Sequence, residues 1–266
     1  NNIVDLEAAW HICREFKDEP VVAIIKHNNP CGVAISDSLK VSYEKALAAD
    51  SVSAFGGIVG CNTEVDKDTA ILMADLFIEA IVAPSFSDEA FDILSQKPSI
   101  RLVELPTFFE QDSSYQIKYV QGGVLMQDND RIVIDEDTLQ VVTNRPTEPH
   151  ESRDLKFAYA VCKHVKSNAI VLVKNGQTVG IGAGQMSRIE SVEIALKKAS
   201  ATGQLNGSVC ASDAFFPFKD SVEHLAAHGI SAIIQPGGSK RDQESVDACN
   251  ESNVSMVFTG IRHFKH

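Results

Sequence analysis

Short apolar runs alternate with amphipathic helical stretches along most of the chain. Runs of about five to seven residues suit buried strands, and their alternation with helices is typical of a layered α/β protein. The apolar runs predict strands at 21–26, 57–61, 80–83, 101–104, 169–174, 178–182, 208–211, 230–235 and 254–259.

Helical periodicity is clearest at four places. Near the start, NNIVDLEAAWHICREF predicts a capped amphipathic helix with one face formed by Leu6, Trp10 and Cys13. Further helices are predicted over 152–165, behind a Ser152 cap, and over 186–199. A fourth is predicted over 220–227, with Asp220 as its candidate N-cap and Gly229 beyond its end.

The polar, turn-rich stretch at about 107–150 interrupts this pattern. Before it, a strand meeting KHNNP is followed by a helix, SVSAFGGIVG, another helix and a strand ending in IVAP. After it, KSNAIVLVKNG is followed by a helix, CASDAFFPF, another helix and a strand ending in IIQP. The order is kept while the spacing differs. This predicts a degenerate duplication, with a first unit at 1–115, a connector at 116–150 and a second unit at 151–266.

Composition narrows the class of protein. A chain of 266 residues, 44% hydrophobic and 23% charged, is ordinary for a soluble globular protein of one or two domains. No apolar stretch approaches the roughly 18 residues that span a membrane. The net charge of -12 argues against a nucleic-acid binder, so an anionic ligand must meet a local positive cluster. Six scattered cysteines without a CxxC pair predict reduced thiols and a cytoplasmic location.

The segment VVAIIKHNNPCGVAI, residues 21–35, sets a cation beside an imidazole at the end of an apolar run. Open α/β sheets bind ligands beyond the ends of buried strands, where Lys26 and His27 are predicted to lie ahead of an Asn-Asn-Pro-Cys-Gly turn. A lysine there can hold or donate a proton, and histidine suits general-base work near neutral pH. The structural alternative is that Lys26 merely leaves the core while His27 hydrogen-bonds the turn.

A second candidate segment is KSNAIVLVKNGQTVGIGAGQMSR, residues 166–188. Its Asn175-Gly176 pair between two apolar runs predicts a β-hairpin. Three glycines at 180, 182 and 184 then lead to a helix start, where backbone N–H groups can receive an anion, although packing would equally account for them. Gln185 stands where G-x-G-x-x-G needs its third glycine, so a dinucleotide site is only weakly indicated.

Two further segments place aromatic and basic side chains after predicted strands. SDAFFPFKD, residues 212–220, puts three phenylalanines in a loop, which suits a flat ligand, a subunit contact or a buried loop. The chain ends in TGIRHFKH, whose Arg262 could clasp a phosphate. Apolar residues up to Phe264 indicate that this end is tied down.

The pair Pro30-Cys31 prompts a test for a zinc deaminase site. That site needs a second cysteine three positions after the first and an H-x-E upstream. Position 34 is Ala, and no H-x-E occurs in the sequence. Bound zinc is therefore not expected.

Taken together, these segments resemble the AICAR transformylase domain of the bifunctional AICAR transformylase/IMP cyclohydrolase family. The resemblance is carried, in family order, by IKHNNPCGVA, SAFGGIVG, VKSNAI, GIGAGQMSR, SDAFFPF and the terminus from Arg262 to His266. Several long motifs in register are far more specific than any one of them. The resemblance implies two cytidine-deaminase-like three-layer α/β units, related by duplication, without zinc and joined by an irregular connector.

The resemblance implies formyl transfer from 10-formyltetrahydrofolate to the 5-amino group of AICAR, which gives FAICAR and tetrahydrofolate in de novo purine biosynthesis. That amine is a poor nucleophile because its lone pair is delocalised into the imidazole carboxamide. By similarity, His27 would take the amine proton, and Lys26 would protonate the leaving folate nitrogen or hold negative charge. Asn168 would donate a hydrogen bond to the formyl oxygen as it becomes an oxyanion.

The resemblance also implies roles for residues outside this catalytic group. AICAR binding is expected of Phe55, Glu79, Phe215, Asp220, Arg262 and His266, with Arg262 at the phosphate. Folate binding is expected of Arg188 and Ile189. The family builds each site at a homodimer interface, so both chains would contribute, and neither a nucleic acid nor a membrane is expected as a partner.

Two departures from the family pattern bear on the expected activity. The sequence lacks the IMP cyclohydrolase domain, and it lacks the R-Y-G-E-N motif that contacts the AICAR phosphate in the family. An alternative is therefore a weakly active fragment that dimerises or binds ligands. A third hypothesis, a nucleotide deaminase of the same fold, predicts bound zinc.

Overall fold

The computed structural model describes residues 1–106, 115–132 and 134–266. The helices in these ranges are α1 Asn2–Cys13, α2 Leu39–Ala49, α3 Ser51–Ala54, α4 Lys67–Ala74, α5 Asp88–Ser95, α6 Pro149–Cys162, α7 Arg188–Thr202, α8 Asp220–Ala227 and α9 Asp242–Glu251. The strands are β1 Val21–Lys26, β2 Asn29–Ile35, β3 Gly57–Cys61, β4 Ile78–Ala83, β5 Arg101–Glu104, β6 Tyr115–Val120, β7 Gly123–Asp128, β8 Gln140–Val141, β9 Ile170–Lys174, β10 Gln177–Gly182, β11 Val209–Ser212, β12 Ala232–Gln235 and β13 Ser255–Phe258.

Most of the described strands form one mixed sheet. Its order is β5-β4-β3-β1-β2-β10-β9-β11-β12-β13-β8. Strands β2 and β10 are neighbours, with Gln177 opposite Ala34 and the Ile35 N–H donating to the Gly176 carbonyl at 2.9 Å. The sheet therefore continues from the first half of the chain into the second, and the predicted α/β class is confirmed.

The two halves of this sheet have the same strand order and pairing directions. In the first half, β1 pairs antiparallel with β2 and β3, and β4 and β5 then add in parallel. In the second half, β9 pairs antiparallel with β10 and β11, and β12 and β13 add in parallel. Each half also begins with a helix, α1 or α6, ahead of its hairpin.

Helices cover both faces of the sheet because its strands are apolar on both sides. In β1, Val21, Ala23 and Ile25 pack toward α1 and α6, whereas Val22 and Ile24 pack toward α2, α4 and α5. In the second half, α7, α8 and α9 cover the corresponding face. The sheet is thus the middle of three layers, and its buried apolar area is the main source of stability.

Close contact between α7 and β10 depends on two glycines of the GIGAG segment. A β-carbon at Gly180 would lie 2.1 Å from the Ala195 carbonyl oxygen, and one at Gly182 would lie 1.9 Å from that of Ser191. Only glycine permits this approach without moving the helix. Of the two explanations open for these glycines, packing is the one that the geometry of Gly180 and Gly182 supports.

All nine predicted strands are present, and 21–26, 57–61 and 101–104 have the predicted bounds. Strand β2 was missed, and the predicted Asn-Asn-Pro-Cys-Gly turn is wrong. Only His27 and Asn28 make the turn, and Asn29 already pairs with Lys26. Pro30 and Gly32 are poor strand formers, which obscured β2 in the sequence.

Two predicted helix caps are also wrong. Helix α6 begins at Pro149 rather than behind Ser152, and the Glu151 carboxylate accepts a hydrogen bond from the Glu148 N–H at 2.9 Å. Proline suits the first helical position because the N–H it lacks would have no partner there. Helix α8 spans the predicted residues, but Lys219 occupies the N-cap position, so Asp220 lies inside the first turn.

The predicted connector contains a second, separate sheet. Strands β6 and β7 pair antiparallel along their whole length, and every residue in both is exposed. Strand β8, farther along the connector, pairs with β13 at the edge of the main sheet. The segment 107–114, which belongs to the last part of the predicted first unit, and Val133, which belongs to the predicted connector, lie outside the described residues.

Candidate active site

The turn between β1 and β2 presents Lys26 and His27 at one end of the sheet. His27 and Asn28 have φ angles of 51° and 63°, the left-handed conformation that two-residue hairpin turns use. Asp5 of α1 supports the turn, because its Oδ1 accepts a hydrogen bond from the Asn28 N–H at 2.7 Å. His27 is exposed, so its imidazole is accessible to a ligand.

Lys26 is held by the backbone that follows α3. Its Nζ donates to the Phe55 carbonyl at 2.6 Å and to the Gly56 carbonyl at 3.0 Å. Gly56 has a φ of 66°, and a β-carbon there would lie 3.1 Å from Lys26 Nζ. The glycine of SAFGGIVG therefore allows both the turn and the approach of the lysine.

Asn168 is fixed by hydrogen bonds to both ends of its side-chain amide. Arg188 Nη2 donates to Asn168 Oδ1 at 2.8 Å. Asn168 Nδ2 donates to the Gln185 carbonyl at 2.9 Å and to the Met186 carbonyl at 3.3 Å. The peptide bond that precedes Asn168 is cis.

Arg188 forms a buried ion pair with Asp213. Their Nη1 and Oδ1 atoms are 2.6 Å apart, and the two side chains are 7% and 0% exposed. Arg188 Nη1 also donates to Ser212 Oγ at 2.8 Å, and Ser167 Oγ donates to Asp213 Oδ2 at 2.5 Å. Buried charges require such partners. The Arg188 guanidinium therefore positions Asn168 and is not open to solvent.

The β1–β2 turn and the Asn168 segment are linked by Asn29. Its Oδ1 accepts from the Lys166 N–H at 3.0 Å, and its Nδ2 donates to the His27 carbonyl at 3.3 Å. Lys166 lies two residues before Asn168. The junction of β2 with β10 thus brings the two groups to the same end of the sheet.

The C-terminal tail lies beside the Asn168 segment. The Ser167 N–H donates to the Lys265 carbonyl at 3.0 Å, and the Lys265 N–H donates to Ser167 Oγ at 3.3 Å. Two residues before Lys265, the His263 N–H donates to the Asp213 carbonyl at 3.1 Å. The prediction that this end is tied down is confirmed.

Arg262 and His266 are exposed on this tail. The guanidinium carbon of Arg262 lies 5.5 Å from the centroid of the Phe264 ring, and the His266 ring centroid lies 5.8 Å from it. Both predicted nucleotide-binding side chains therefore lie on the tail that borders Asn168.

Phe55 and Glu79 lie on the Lys26 side of the site. The Phe55 ring is 61% exposed and its centroid lies 5.3 Å from that of Phe77. Glu79 lies on β4, where its Oε2 accepts from Arg101 Nη1 at 2.9 Å and from Asn2 Nδ2 at 3.5 Å. These two predicted residues share the end of the sheet that carries Lys26.

Phe215, Asp220 and Ile189 are placed by local contacts. Phe215 is half-buried in the loop after β11, and Ile189 packs against the core beneath α7. Asp220 is exposed, and its Oδ1 accepts from the Ser221 N–H at 2.7 Å. Among the described residues, the hydrogen bonds of the Asp220 carboxylate go to Ser221 and none goes to Lys26 or His27.

Sequence reasoning missed four residues that hold the site together, namely Asp5, Asn29, Ser167 and Asp213. Asp213 was detectable, because it comes two residues after the predicted strand 208–211 and a carboxylate near the end of a buried strand needs a partner. Ser167 and Asp5 act through contacts that are distant in sequence and carry no local signal.

Comparison with known families identifies the group to which this arrangement belongs. The family model described as the AICARFT/IMPCHase bienzyme matches residues 1–198, which include Lys26, His27 and Asn168. The chain belongs to the AICARFT/IMPCHase bienzyme family. The expected family is therefore confirmed by a match to most of the chain.

Curated relatives extend the likeness of this AICARFT/IMPCHase-family chain to its full length. The bifunctional purine biosynthesis protein PurH of Aquifex aeolicus is 49% identical over 267 residues, which cover 100% of this chain and 52% of the relative. The protein of the same name from Enterococcus faecalis is 52% identical over 266 residues, with the same coverage. The chain thus spans about half the length of the curated relatives it matches.

Two cavities in this AICARFT/IMPCHase-family chain lie away from Lys26. The smaller, of about 290 Å³, is lined by apolar residues such as Ile134 and Phe157 together with charged ones. The larger, of about 470 Å³, lies where the ends of α1 and α6 meet the C-terminal tail. Neither is lined by Lys26 or His27, so in a single chain His27 is exposed on the surface outside both cavities.

The described residues lack both a cluster of metal ligands and a helix that could cross a membrane. Residues 1–106, 115–132 and 134–266 contain no group of three or more His, Cys, Asp or Glu able to hold a metal. All six cysteines are buried and unpaired. Burial raises the pKa of the Cys31 thiol to about 12, which keeps it protonated. Among the same residues, every helix is too short or too polar to cross a membrane.

Proposed function

We propose that this chain transfers the formyl group of 10-formyltetrahydrofolate to the 5-amino group of AICAR, giving FAICAR and tetrahydrofolate. The observation that carries the proposal is the Asn29 bridge, which joins the Lys26-His27 turn to the Asn168 segment in a chain of this family. The bridge supports a site in which a base, a cation and an amide act on one carbonyl group.

In the proposed reaction the amine nitrogen attacks the formyl carbon. His27 accepts the proton that the amine loses as the new C–N bond forms. Negative charge develops on the formyl oxygen, where Asn168 and the Lys26 ammonium stabilise it. The bond from carbon to the folate nitrogen then breaks, its electron pair stays on that nitrogen, and Lys26 supplies the proton that neutralises it.

Asn168 needs to release one present hydrogen bond before it can donate to the formyl oxygen. Its 3.3 Å bond to the Met186 carbonyl is longer than the 2.9 Å bond to Gln185 and is the weaker of the two. Met186 is 89% exposed, so a ligand can displace this contact while Arg188 keeps Oδ1 in place. Arg188 therefore serves the proposed folate side of the site through Asn168, with Ile189 following it in α7.

We place AICAR between the Lys26 side of the site and the C-terminal tail. Arg262 is the proposed phosphate ligand because it is exposed and forms a forked donor. The remaining proposed nucleotide contacts are Phe55, Glu79, Phe215, Asp220 and His266. These residues lie on several different elements, which favours a ligand that contacts more than one element at once.

We also propose a homodimer in which both chains contribute to each site. One face of the β6–β7 hairpin is mostly apolar and exposed, and it carries Tyr115, Ile117, Tyr119, Val124 and Met126 together with Asp128. An isolated two-stranded hairpin is at best marginally stable in water, and a contiguous apolar patch is typical of a protein interface. A second copy of the chain is the proposed occupant of this face.

The proposed fold history is a duplication of a cytidine-deaminase-like unit, with units at 1–115 and 151–266 and a connector at 116–150. The matched strand orders 2-1-3-4-5 and 10-9-11-12-13 support it. The six unpaired cysteines suit a reducing compartment, and the cytoplasm is the proposed location.

Conversion of AICAR with 10-formyltetrahydrofolate tests the proposed function. The purified chain is expected to form FAICAR and tetrahydrofolate, and His27→Ala is expected to lower kcat by about 100-fold because a general base is removed. His228→Ala, which alters another exposed histidine, is the matched control and should retain activity.

Full activity in His27→Ala would refute the assignment of the base. Isothermal titration of AICAR, with and without a folate analogue, separates the enzyme from the fragment alternative. A folded dimer that neither converts nor binds AICAR would favour the weakly active fragment.

A further inference from the structure

The larger cavity, of about 470 Å³, is formed by four separate parts of the chain. These are the end of α1 with the residues after it, the β6–β7 hairpin with residues 129–131, the end of α6, and the C-terminal tail. We call it the basic cavity, and its cationic side chains are Arg14, Lys17, Arg131, Lys163 and Lys265.

Cationic side chains outnumber carboxylates in the basic cavity. The carboxylates are Glu15, Asp18 and Asp130. Glu15 lies 2.9 Å from both Lys163 Nζ and His164 Nε2, so Glu15 and Lys163 balance each other, and Asp130 lies 2.5 Å from His263 Nδ1. The other four cationic side chains still outnumber the two remaining carboxylates. An excess of cationic groups is unusual in a chain whose net charge is -12.

We propose that the basic cavity binds a small polyanion that carries phosphate or carboxylate groups. A cleft lined by one sign of charge concentrates the electric field and attracts a ligand of the opposite sign. Its volume of about 470 Å³ lies within the range of small-molecule sites. Side-chain amides of Gln116 and Asn129 line the same cavity and add neutral hydrogen-bond donors.

Existing contacts hold two of the cationic side chains in place. The Arg14 guanidinium carbon lies 4.7 Å from the centroid of the Trp10 ring, and Lys265 Nζ donates to the His164 carbonyl at 3.0 Å. The pKa of Lys265 is lowered to about 8, mainly by burial and to a smaller extent by the nearby charge of Lys166. A bound anion would offset both effects and favour the charged lysine.

Lys265 also connects the basic cavity to the candidate active site. Its backbone exchanges hydrogen bonds with Ser167, the neighbour of Asn168. An anion that holds the Lys265 side chain therefore stabilises the tail beside Asn168. The binding proposal does not depend on formyl transfer, because it needs only the charges and the volume of the cavity.

Trp10 allows binding to be measured directly. It is the single tryptophan of the chain, and its ring contacts two residues that line the basic cavity, His11 and Arg14. Titration with inorganic phosphate and, separately, with a triglutamate peptide is expected to give a saturable change in its fluorescence and a matching heat for at least one probe. The probe that binds more tightly shows whether phosphate or carboxylate groups are preferred.

Lys17→Gln/Arg131→Gln removes two exposed charges from the basic cavity and is expected to weaken binding about ten-fold. Lys67→Gln/Lys197→Gln removes the same charge from exposed positions of α4 and α7 and should leave binding unchanged. Lys26→Ala should also leave it unchanged. Circular dichroism checks that each variant is folded.

Three results would overturn the proposal. The first is the lack of a saturable signal with both probes. The second is equal weakening in the two double variants, which would indicate an effect of net charge alone. The third is loss of binding in Lys26→Ala, which would place the anion in the candidate active site.

Discussion

Asp5 stabilises the left-handed turn that presents His27. Residues other than glycine with positive φ are disfavoured, and this turn has two in succession, His27 and Asn28. The Asp5 carboxylate compensates by accepting the Asn28 N–H at 2.7 Å. The position of the proposed base thus depends on a carboxylate in α1.

Asp5→Ala is expected to lower kcat about ten-fold, the effect of losing one charge-assisted hydrogen bond. The KM for AICAR should change less, because Asp5 acts on the turn and not on the ligand. Steady-state kinetics with varied AICAR measures both constants.

Asp5→Asn is the matched control, since its side-chain oxygen can still accept the Asn28 N–H. It should recover most of the activity. Unchanged kcat in Asp5→Ala would show that the turn keeps its geometry without this contact.

At the scale of elements, the β6–β7 hairpin is the feature that most needs a partner. Its two faces differ in polarity, because Ile117 and Tyr119 lie on the mostly apolar face whereas the other face carries Gln116, Lys118 and Gln127 beside Val120 and Leu125. Gln116 and Gln127 form a hydrogen bond across that second face. We therefore expect the face of Ile117 and Tyr119 to contact a partner and the face of Gln116 and Gln127 to remain hydrated.

Ile117→Glu/Tyr119→Glu is expected to weaken the proposed dimer at least about ten-fold, because two carboxylates would lose water at the interface. Sedimentation velocity over a range of concentrations measures the shift toward monomer. The matched control is Lys118→Glu, which changes the same strand on its other face.

An equal shift toward monomer in Lys118→Glu would show that added negative charge, and not loss of the apolar face, weakens the dimer. An unchanged mass in the double variant would remove this face from the interface.

At the scale of the whole molecule, α1 of the first half and α6 of the second are joined by a buried cluster. The Glu15 carboxylate lies 2.9 Å from both Lys163 and His164. Although burial opposes its ionisation, the contacts with His164 and Lys163 lower the pKa of Glu15 to about 2. Burial lowers the pKa of His164 to about 4, against the opposing hydrogen bond to Glu15.

These shifts predict a loss of stability in acid. The unfolded chain protonates His164 near its ordinary value of 6.5, whereas the folded chain does so near 4, so acid favours unfolding between these values. Glu15 adds a loss between its ordinary 4.5 and about 2. The His164 contribution amounts to about 3 kcal/mol between pH 7 and pH 4.

Urea unfolding at several pH values measures this dependence. His164→Gln keeps a donor for Glu15 but does not titrate, so its free energy of unfolding should fall less steeply below pH 6.5. His150→Gln alters an exposed histidine and should keep the original slope. Identical slopes in both variants would contradict the assignment to His164.

The sequence by itself determined nine strands of the main sheet, the α/β class and the family, because buried strands are runs of apolar residues and the family segments are contiguous. It also determined the pairing of Lys26 with His27, which are neighbours in the chain. It did not determine β2, whose Gly32 is required by the approach of α2: a β-carbon there would lie 2.0 Å from the Ala46 carbonyl oxygen.

Only the tertiary structure decided which partners the charged and polar groups have. Arg188 and Asp213 are 25 residues apart, and Asn29 and Lys166 are 137 apart, yet each pair meets in space. Likewise, the basic cavity draws its cations from parts of the chain that share no motif. The physical reason is that a charge is stabilised by whatever lies near it once water is excluded, and packing, not sequence distance, sets that neighbour.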